Sequence, residues 1–187
     1  MKKDYRQIMF TILLLMAVVF VPGTALAQEE EPDVYYVNTP ELVIRARASE
    51  TSKQVGKVYK FDEVRVMSRP RNGWVKGSFR LKNLDFVNGY VKIQSLKKMG
   101  DDPIPKSKLQ KPWKLLTSDP NLSGELIIRI DDGDFEAEYT IFLTLGNREV
   151  YDQGIEDGYY NGGRFWHYPY DAKTGYLSMG GYLWYQD

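Results

Sequence analysis

The chain has 187 residues, no cysteine, and 25 basic and 25 acidic residues, so its formal net charge is zero. The lack of cysteine excludes disulfides, thiolate nucleophiles and cysteine-based metal sites. The balanced charge argues against a nucleic-acid-binding protein, which usually has a clear basic excess. It also gives no electrostatic reason to expect adhesion to anionic lipid.

The first 27 residues have the pattern of an export signal. A short basic stretch precedes an apolar run at residues 8–21, and Ala25-Leu26-Ala27 supplies a small–x–small cleavage site. The alternative is an uncleaved membrane anchor, but the run is shorter than the ~20 residues that a spanning helix needs. No cysteine follows the run, which excludes a lipid-anchored lipoprotein.

We therefore predict that residues 1–27 are a signal peptide and that the protein is exported to the periplasm or the cell exterior. No stable membrane insertion is expected after cleavage. The segment holds three basic residues and one acidic residue, so its removal changes the net charge from 0 to −2.

Residues 34–98 contain short runs of β-branched and aromatic residues separated by Gly, Asn and Pro, a composition typical of strands and tight turns. The predicted strands are residues 34–37, 42–44, 56–59, 64–67, 74–75 and 90–93. Gly, Asn and Pro in the intervening segments predict turns, so this region is predicted to be a small antiparallel domain.

Several motifs in this region resemble the bacterial SH3 (SH3b) family. The motifs are Leu42-Val43-Ile44-Arg45, Val55-Gly56-Lys57-Val58, Asn72-Gly73-Trp74-Val75-Lys76 and Asn88-Gly89-Tyr90-Val91. The resemblance implies a small barrel that binds a ligand or braces another domain and is not itself a catalyst. It also implies a structural role for Arg45, which would bond loop carbonyls, and a core position for Trp74.

The chain departs from the family pattern in two places. Tyr90 stands where a tryptophan is usual, and residues 77–88 replace a tight hairpin with a longer segment. This insert contains Phe79, Leu81, Leu84 and Phe86, so either the two flanking strands are longer or the loop folds over a neighbour. Loops of this kind often carry function.

Residues 99–112 contain three prolines and few core-forming residues, which predicts a semi-stiff linker. Residues 113–187 form a second strand-rich unit: Phe135 to Leu143 alternates apolar and polar residues, and turns recur at short spacing. The predicted fold class is therefore all-β, a small SH3-like barrel followed by a second antiparallel unit, either a meander or a small barrel. Trp113 and the turn around Gly133 give the second unit a weak resemblance to small lipocalin-like envelope domains.

The residues that could carry chemistry have simpler explanations. His167 is the only histidine and has no recognisable triad or metal frame around it. The acidic turn at residues 131–134 resembles the start of a calcium loop but lacks its later glutamate, and a hairpin turn accounts for it. Glu136 and Glu138 are spaced as on the wet face of a strand. We predict no catalytic residues, no bound metal and no cofactor.

Aromatic residues are unusually frequent near the end of the chain. Fifteen of the 26 aromatic residues lie within residues 113–187, more than one face of a small sheet can bury. Tyrosine and tryptophan suit flat sugar or peptide ligands, although they also cap small barrels. The predicted ligand-binding residues are Tyr159, Tyr160, Trp166, Tyr168 and Tyr170.

The sequence therefore predicts an exported, non-catalytic envelope protein that binds cell-wall peptide, glycan or a protein partner. The alternative is a structural or assembly component in which the SH3b-like unit braces the C-terminal domain. An enzyme is not expected. SH3b modules often accompany cell-wall peptidases with a Cys/His site, and the missing cysteine rules out that class.

Overall fold

The structure is a computed structural model that describes residues 32–187. The predicted signal peptide lies outside the described residues. Residues 32–187 form one compact unit. Within this part of the chain, no helix is both long and apolar enough to cross a membrane.

The first half of the chain forms a seven-stranded antiparallel sheet. Its strands are β1 Asp33–Val37, β2 Glu41–Arg45, β3 Gln54–Tyr59, β4 Glu63–Val66, β5 Trp74–Arg80, β6 Phe86–Lys92 and β7 Leu96–Lys98. The first four lie close to predicted strands, β5 and β6 are longer than predicted, and β7 is not among the predicted strands. Their spatial order is β3-β2-β6-β5-β4-β1-β7. A short 3₁₀ helix, Ile93–Ser95, lies between β6 and β7.

The first sheet curls around a single core. Val58 of β3 and Leu96 of β7 stand near opposite ends of the strand order, yet both belong to one cluster of buried side chains. Gly89 shows how closely the strands approach, because a Cβ there would lie 2.4 Å from Ile44 Cγ2. Arg45 donates a hydrogen bond to the carbonyl of Ser52, 3.0 Å away, and so holds the following loop, as expected for this position.

Residues 77–88 both lengthen the two flanking strands and form a turn that contacts a neighbour, so both predicted alternatives apply. β5 and β6 are long strands that pair from Trp74↔Lys92 to Arg80↔Phe86. The turn between them reaches the second sheet, where Lys82 Nζ lies 2.7 Å from Asp119 Oδ2.

The second half of the chain forms an eight-stranded antiparallel sheet. The strands are β8 Trp113–Leu116, β9 Leu122–Asp131, β10 Asp134–Leu145, β11 Asn147–Asn161, β12 Arg164–Phe165, β13 Tyr170–Asp171, β14 Tyr176–Met179 and β15 Tyr182–Tyr185. The order β12-β11-β10-β9-β8-β15-β14-β13 joins two meanders at β8. The all-β class with two antiparallel sheets is thereby confirmed.

Strand alternation determines which side chains of the second sheet face its core. Phe135, Ala137, Tyr139 and Ile141 are buried. Glu136 and Glu138 face outward, where Arg129 lies 3.2 and 3.4 Å from their carboxylates. The acidic turn is a two-residue hairpin with Asp132 at φ 43° and Gly133 at φ 93°, a geometry that two-residue hairpins favour.

Residues 99–112, predicted as a linker, pack along the second sheet. Met99 and Ile104 are buried, and the amide of Asp102 donates to the carbonyl of Tyr170 at 2.8 Å. A single helical turn, α1 Lys106–Leu109, precedes β8. The segment thus contributes to the core of the C-terminal half.

Candidate functional site

The two sheets enclose a cavity of about 370 Å³, which we call the inter-sheet cleft. Three segments form its walls: the β3–β4 turn at residues 59–63, the β5–β6 turn at residues 80–84, and the loop at residues 115–122. Tyr151, Gly181, Tyr182 and Leu183 complete it. Aromatic and aliphatic walls with a few polar groups, at this volume, are typical of small-ligand sites in proteins.

Two cleft residues have strained backbone. Phe61 has φ 74° and Leu84 has φ 68°, in the left-handed region that bulky side chains avoid at a cost of roughly 1–3 kcal/mol each. The Phe61 amide donates to the Val37 carbonyl at 2.9 Å, and the Leu84 amide donates to the Leu81 carbonyl at 2.9 Å. Such strain persists where the surrounding structure holds it, and it is frequent in ligand sites.

Asp62 presents a carboxylate to the cleft from the β3–β4 turn. Its Oδ2 atom accepts a hydrogen bond from the Tyr59 amide at 2.7 Å. Burial raises the pKa of Asp62 to about 6, against the opposing effects of the Tyr59 amide and of Lys82. Proteins often place perturbed carboxyl groups of this kind in functional clefts.

Lys82 and Asp119 join the two sheets at the cleft. Lys82 Nζ lies 2.7 Å from Asp119 Oδ2 and 4.7 Å from the centre of the Tyr59 ring. The hydrogen bond from Lys82 holds the pKa of Asp119 below its usual value. The Tyr151 hydroxyl donates to the Lys82 carbonyl, so both the side chain and the main chain of Lys82 hold the β5–β6 turn in place.

Arg80 lines both the cleft and a second cavity of about 370 Å³. Its guanidinium donates to Asp152 Oδ2 at 2.7 Å and to the Gly180 carbonyl at 3.0 Å, and it stacks 4.6 Å from the centre of the Tyr182 ring. The Tyr182 hydroxyl donates to the same Asp152 oxygen at 2.6 Å. Burial raises the pKa of Tyr182, and this hydrogen bond raises it further.

Glu63 is a buried carboxylate beside this second cavity. It accepts hydrogen bonds from the Ser178 hydroxyl and from Arg65 Nε, the latter at 3.2 Å. Burial raises the pKa of Glu63, while Arg65 and Ser178 oppose the increase. The Ser178 bond connects β14 to β4 and so joins the second sheet to the first, whereas the Arg65 bond lies within β4.

The structure separates the five aromatic residues predicted to bind ligand. Tyr159 and Trp166 are 70% and 64% exposed, and their backbones are bonded through the Trp166 amide and the Tyr159 carbonyl at 3.1 Å. Tyr160 and Tyr168 are half-buried against the second core. Tyr170 is only 4% exposed and packs edge-on against Trp113. The prediction that all five residues form one exposed surface is therefore wrong for Tyr170.

Trp74 is 8% exposed, which confirms its predicted burial. The expected core position is wrong, however, because Trp74 lies on the face of β5 opposite to the core residue Val75 and is absent from the core cluster. It lies under Lys92, whose Nζ is 4.7 Å from the ring centre. A shallow cavity of about 580 Å³, the Trp74 groove, lies beside it. Its other lining residues are Ala46, Arg47, Ala48, Ser68, Arg69, Arg71, Lys76 and Tyr90.

Sequence reasoning missed most of the cleft because its walls come from three segments that are distant along the chain. The apolar insert at residues 77–88 was the usable signal, and Leu81 and Leu84 of that insert do line the cleft. Nothing in the local sequence marks Asp62 or the loop at 117–122. Within residues 32–187, no three His, Asp or Glu side chains are grouped as a metal site.

Comparison with known proteins adds no family to these observations. No protein-family model matches the chain, and neither curated proteins nor solved structures show significant similarity to it.

Proposed function

We propose that this protein is an exported, non-catalytic binding protein of the bacterial cell envelope whose ligand enters the inter-sheet cleft. The ligand would be cell-wall peptide, wall glycan or a segment of a protein partner. The observation that carries this proposal is the cleft itself, a cavity of about 370 Å³ with aromatic and aliphatic walls and the carboxylate of Asp62. The export pattern of residues 1–27 and the resemblance to SH3b modules favour an envelope ligand.

The cleft suits part of a polymer better than a fully enclosed metabolite. Its polar groups, including Lys82, Asp119 and Asn121, come from turns and loops. Apolar walls would provide contact area, while the polar groups would orient the ligand. Leu81 and Leu84 bring the segment at residues 77–88 directly to this surface.

Retention on purified cell walls tests the proposal. Ser118 is exposed and lines the cleft, so Ser118→Trp fills the cleft without replacing a core residue. Ser123 is also exposed, on β9 and outside the cleft, and Ser123→Trp is the matched control. We expect wild type and Ser123→Trp to be retained equally and Ser118→Trp to lose at least tenfold in retention.

Equal retention of the two variants would remove the cleft as the ligand site. If wild type is not retained on walls but binds an isolated envelope protein, and Ser118→Trp abolishes that binding, the ligand is a protein partner. Failure of wild type to bind either material would contradict the binding function.

The alternative function, bracing of the C-terminal domain by the first sheet, has its own supporting observations. Arg80 of β5 is paired with Asp152 of β11, and Glu63 of β4 is bonded to Ser178 of β14. Tyr36, Met99 and Leu183 form a buried cluster drawn from both halves of the chain. These contacts favour a fixed arrangement of the sheets, which is compatible with a cleft between them.

A further inference from the structure

The charge of Lys82 lowers the pKa of Asp62, but Lys82 donates its hydrogen bond to Asp119 and not to Asp62. The two cations that line the cleft are engaged by other carboxylates: Lys82 lies 2.7 Å from Asp119, and Arg80 lies 2.7 Å from Asp152. Among the described residues, the Asp62 carboxylate accepts a hydrogen bond from the Tyr59 amide at 2.7 Å, and the Asp62 main-chain carbonyl accepts one from the Val37 amide at 3.0 Å. A half-buried carboxylate without a hydrogen bond from a cation is unfavourable, and proteins usually pair such a charge.

The charges that line the cleft have a negative excess. Asp62, Glu63 and Asp119 carry negative charge and Arg80 and Lys82 carry positive charge, so the lining has a net charge of −1 when all are ionised. The other titratable side chains that line the cleft are Tyr59, Tyr151 and Tyr182. A ligand with one positive charge would therefore balance the cleft.

Aromatic rings make an organic cation a better match than a metal ion. Lys82 already lies 4.7 Å from the centre of the Tyr59 ring, and Arg80 lies 4.6 Å from that of Tyr182. Ring faces attract ammonium groups, whereas Ca²⁺ needs six to eight oxygen ligands. Besides its charged groups, the cleft is lined by Tyr59, Phe61, Tyr151 and Tyr182 and by the aliphatic side chains of Leu81 and Leu84.

Resting on the ligand cleft assigned under Proposed function, we propose that the ligand carries an ammonium group which binds the Asp62 carboxylate while its apolar part lies against the aromatic wall. An amine-bearing peptide side chain, a free peptide amino terminus and an amino sugar share this chemistry. Neutral glycans and ligands that end in a carboxylate lack this ammonium group and should bind less tightly.

Benzylamine and benzyl alcohol are suitable probes because they have similar shape and differ in charge at pH 7.5. Chemical shifts of the ¹⁵N-labelled protein would be followed during titration with each probe. We expect benzylamine to shift the Tyr59 and Asp62 amides and to bind at least tenfold more tightly than benzyl alcohol, the size expected for one charge-assisted hydrogen bond.

Asp62→Asn is the decisive variant because an asparagine oxygen still accepts the Tyr59 amide and keeps the turn intact. We expect it to remove the preference for benzylamine. Asp132→Asn is the matched control, since Asp132 lies in the β9–β10 turn at φ 43°, where asparagine is well tolerated. The control should retain the full preference.

The wild-type preference should also weaken below pH 6, because protonation of Asp62 removes the charge that binds the amine. The charged groups facing this site, Glu63, Asp119, Arg80 and Lys82, are engaged in their own hydrogen bonds.

Equal binding of benzylamine and benzyl alcohol, a preference that survives in Asp62→Asn, or no shift with either probe would overturn the ammonium inference. Shifts with CaCl₂ alone would overturn it in favour of a metal ion. None of these results would disturb the proposed function if Ser118→Trp still abolished wall retention. Loss of the proposed function would instead appear as equal retention of Ser118→Trp and Ser123→Trp.

Discussion

Asp62 illustrates how burial changes the acid–base behaviour of a single side chain. The carboxyl has an ordinary pKa of 3.8, and in the folded protein its pKa rises to about 6. The folded state therefore binds this proton more tightly than the unfolded state. Its stabilising contribution is complete below pH 3.8 and is lost as the pH rises through about 6.

Replacement of Asp62 by asparagine should stabilise the protein at neutral pH. The pKa change corresponds to roughly 3 kcal/mol, and partial access of water to the side chain reduces this to about 2 kcal/mol. We expect Asp62→Asn to raise the free energy of unfolding by that amount at pH 8 and to change it little at pH 4. Urea denaturation at both pH values, with Asp132→Asn as control, measures the difference. A loss of stability at pH 8 would contradict this account.

Trp74→Ala tests how much a tryptophan on the outer face of the first sheet contributes to stability. Trp74 is 8% exposed, and removal of a buried tryptophan side chain costs ~3–5 kcal/mol. We expect Trp74→Ala to lower the free energy of unfolding of the whole protein by that amount. A change below about 1 kcal/mol in urea denaturation would show that the ring contributes little and would make Trp74 a candidate ligand contact.

At the scale of elements, the extended β5–β6 hairpin connects the sheets. Its length places Arg80 beside Asp152 and Lys82 beside Asp119, and each pair joins an element of the first sheet to one of the second. A shorter β5–β6 hairpin would not reach these partners. The hairpin therefore contributes to both the cleft and the contact between the sheets, together with the Glu63–Ser178 bond and the cluster of Tyr36, Met99 and Leu183.

Breaking the Arg80–Asp152 pair should destabilise the protein. Both side chains are less than one-fifth exposed, and loss of one partner leaves the other charge without compensation. We expect Arg80→Ala and Asp152→Ala each to cost about 2–3 kcal/mol, and the double variant to cost less than their sum. Arg129→Ala is the control, because its exposed pairs should contribute below about 1 kcal/mol. Strict additivity of the two variants would argue against a direct interaction.

Strand positions could be predicted from the sequence because alternation and turn residues are local signals. Phe135 to Leu143 and the hairpin at residues 131–134 lie where the pattern places them. Tyr170 could not be assigned to the core in this way, since β12 and β13 have two residues each and show no alternation. The cleft depends on contacts between residues as far apart as Lys82 and Asp119, which no local pattern encodes.

At the scale of the whole molecule, residues 32–187 form one compact unit with two sheets. A buried cluster of Tyr36, Met99 and Leu183 is shared between the two halves of the chain, and the buried Glu63–Ser178 hydrogen bond crosses between the sheets. Coupling of this kind favours joint folding of the two sheets.

The protein should therefore unfold in a single transition. Differential scanning calorimetry should give one peak, with equal calorimetric and van't Hoff enthalpies. Two resolved peaks, one for each sheet, would show that the contacts between the sheets are too weak to couple them and would weaken the case for a fixed cleft.

The central claim is that ligand binds between the sheets, and chemical-shift mapping with soluble cell-wall fragments tests it most directly. We predict that the perturbed amides fall within residues 59–63, 81–84 and 117–122, which surround the cleft. Perturbations confined to Tyr159 and Trp166, or to the Trp74 groove, would contradict the claim and place the ligand on a different surface.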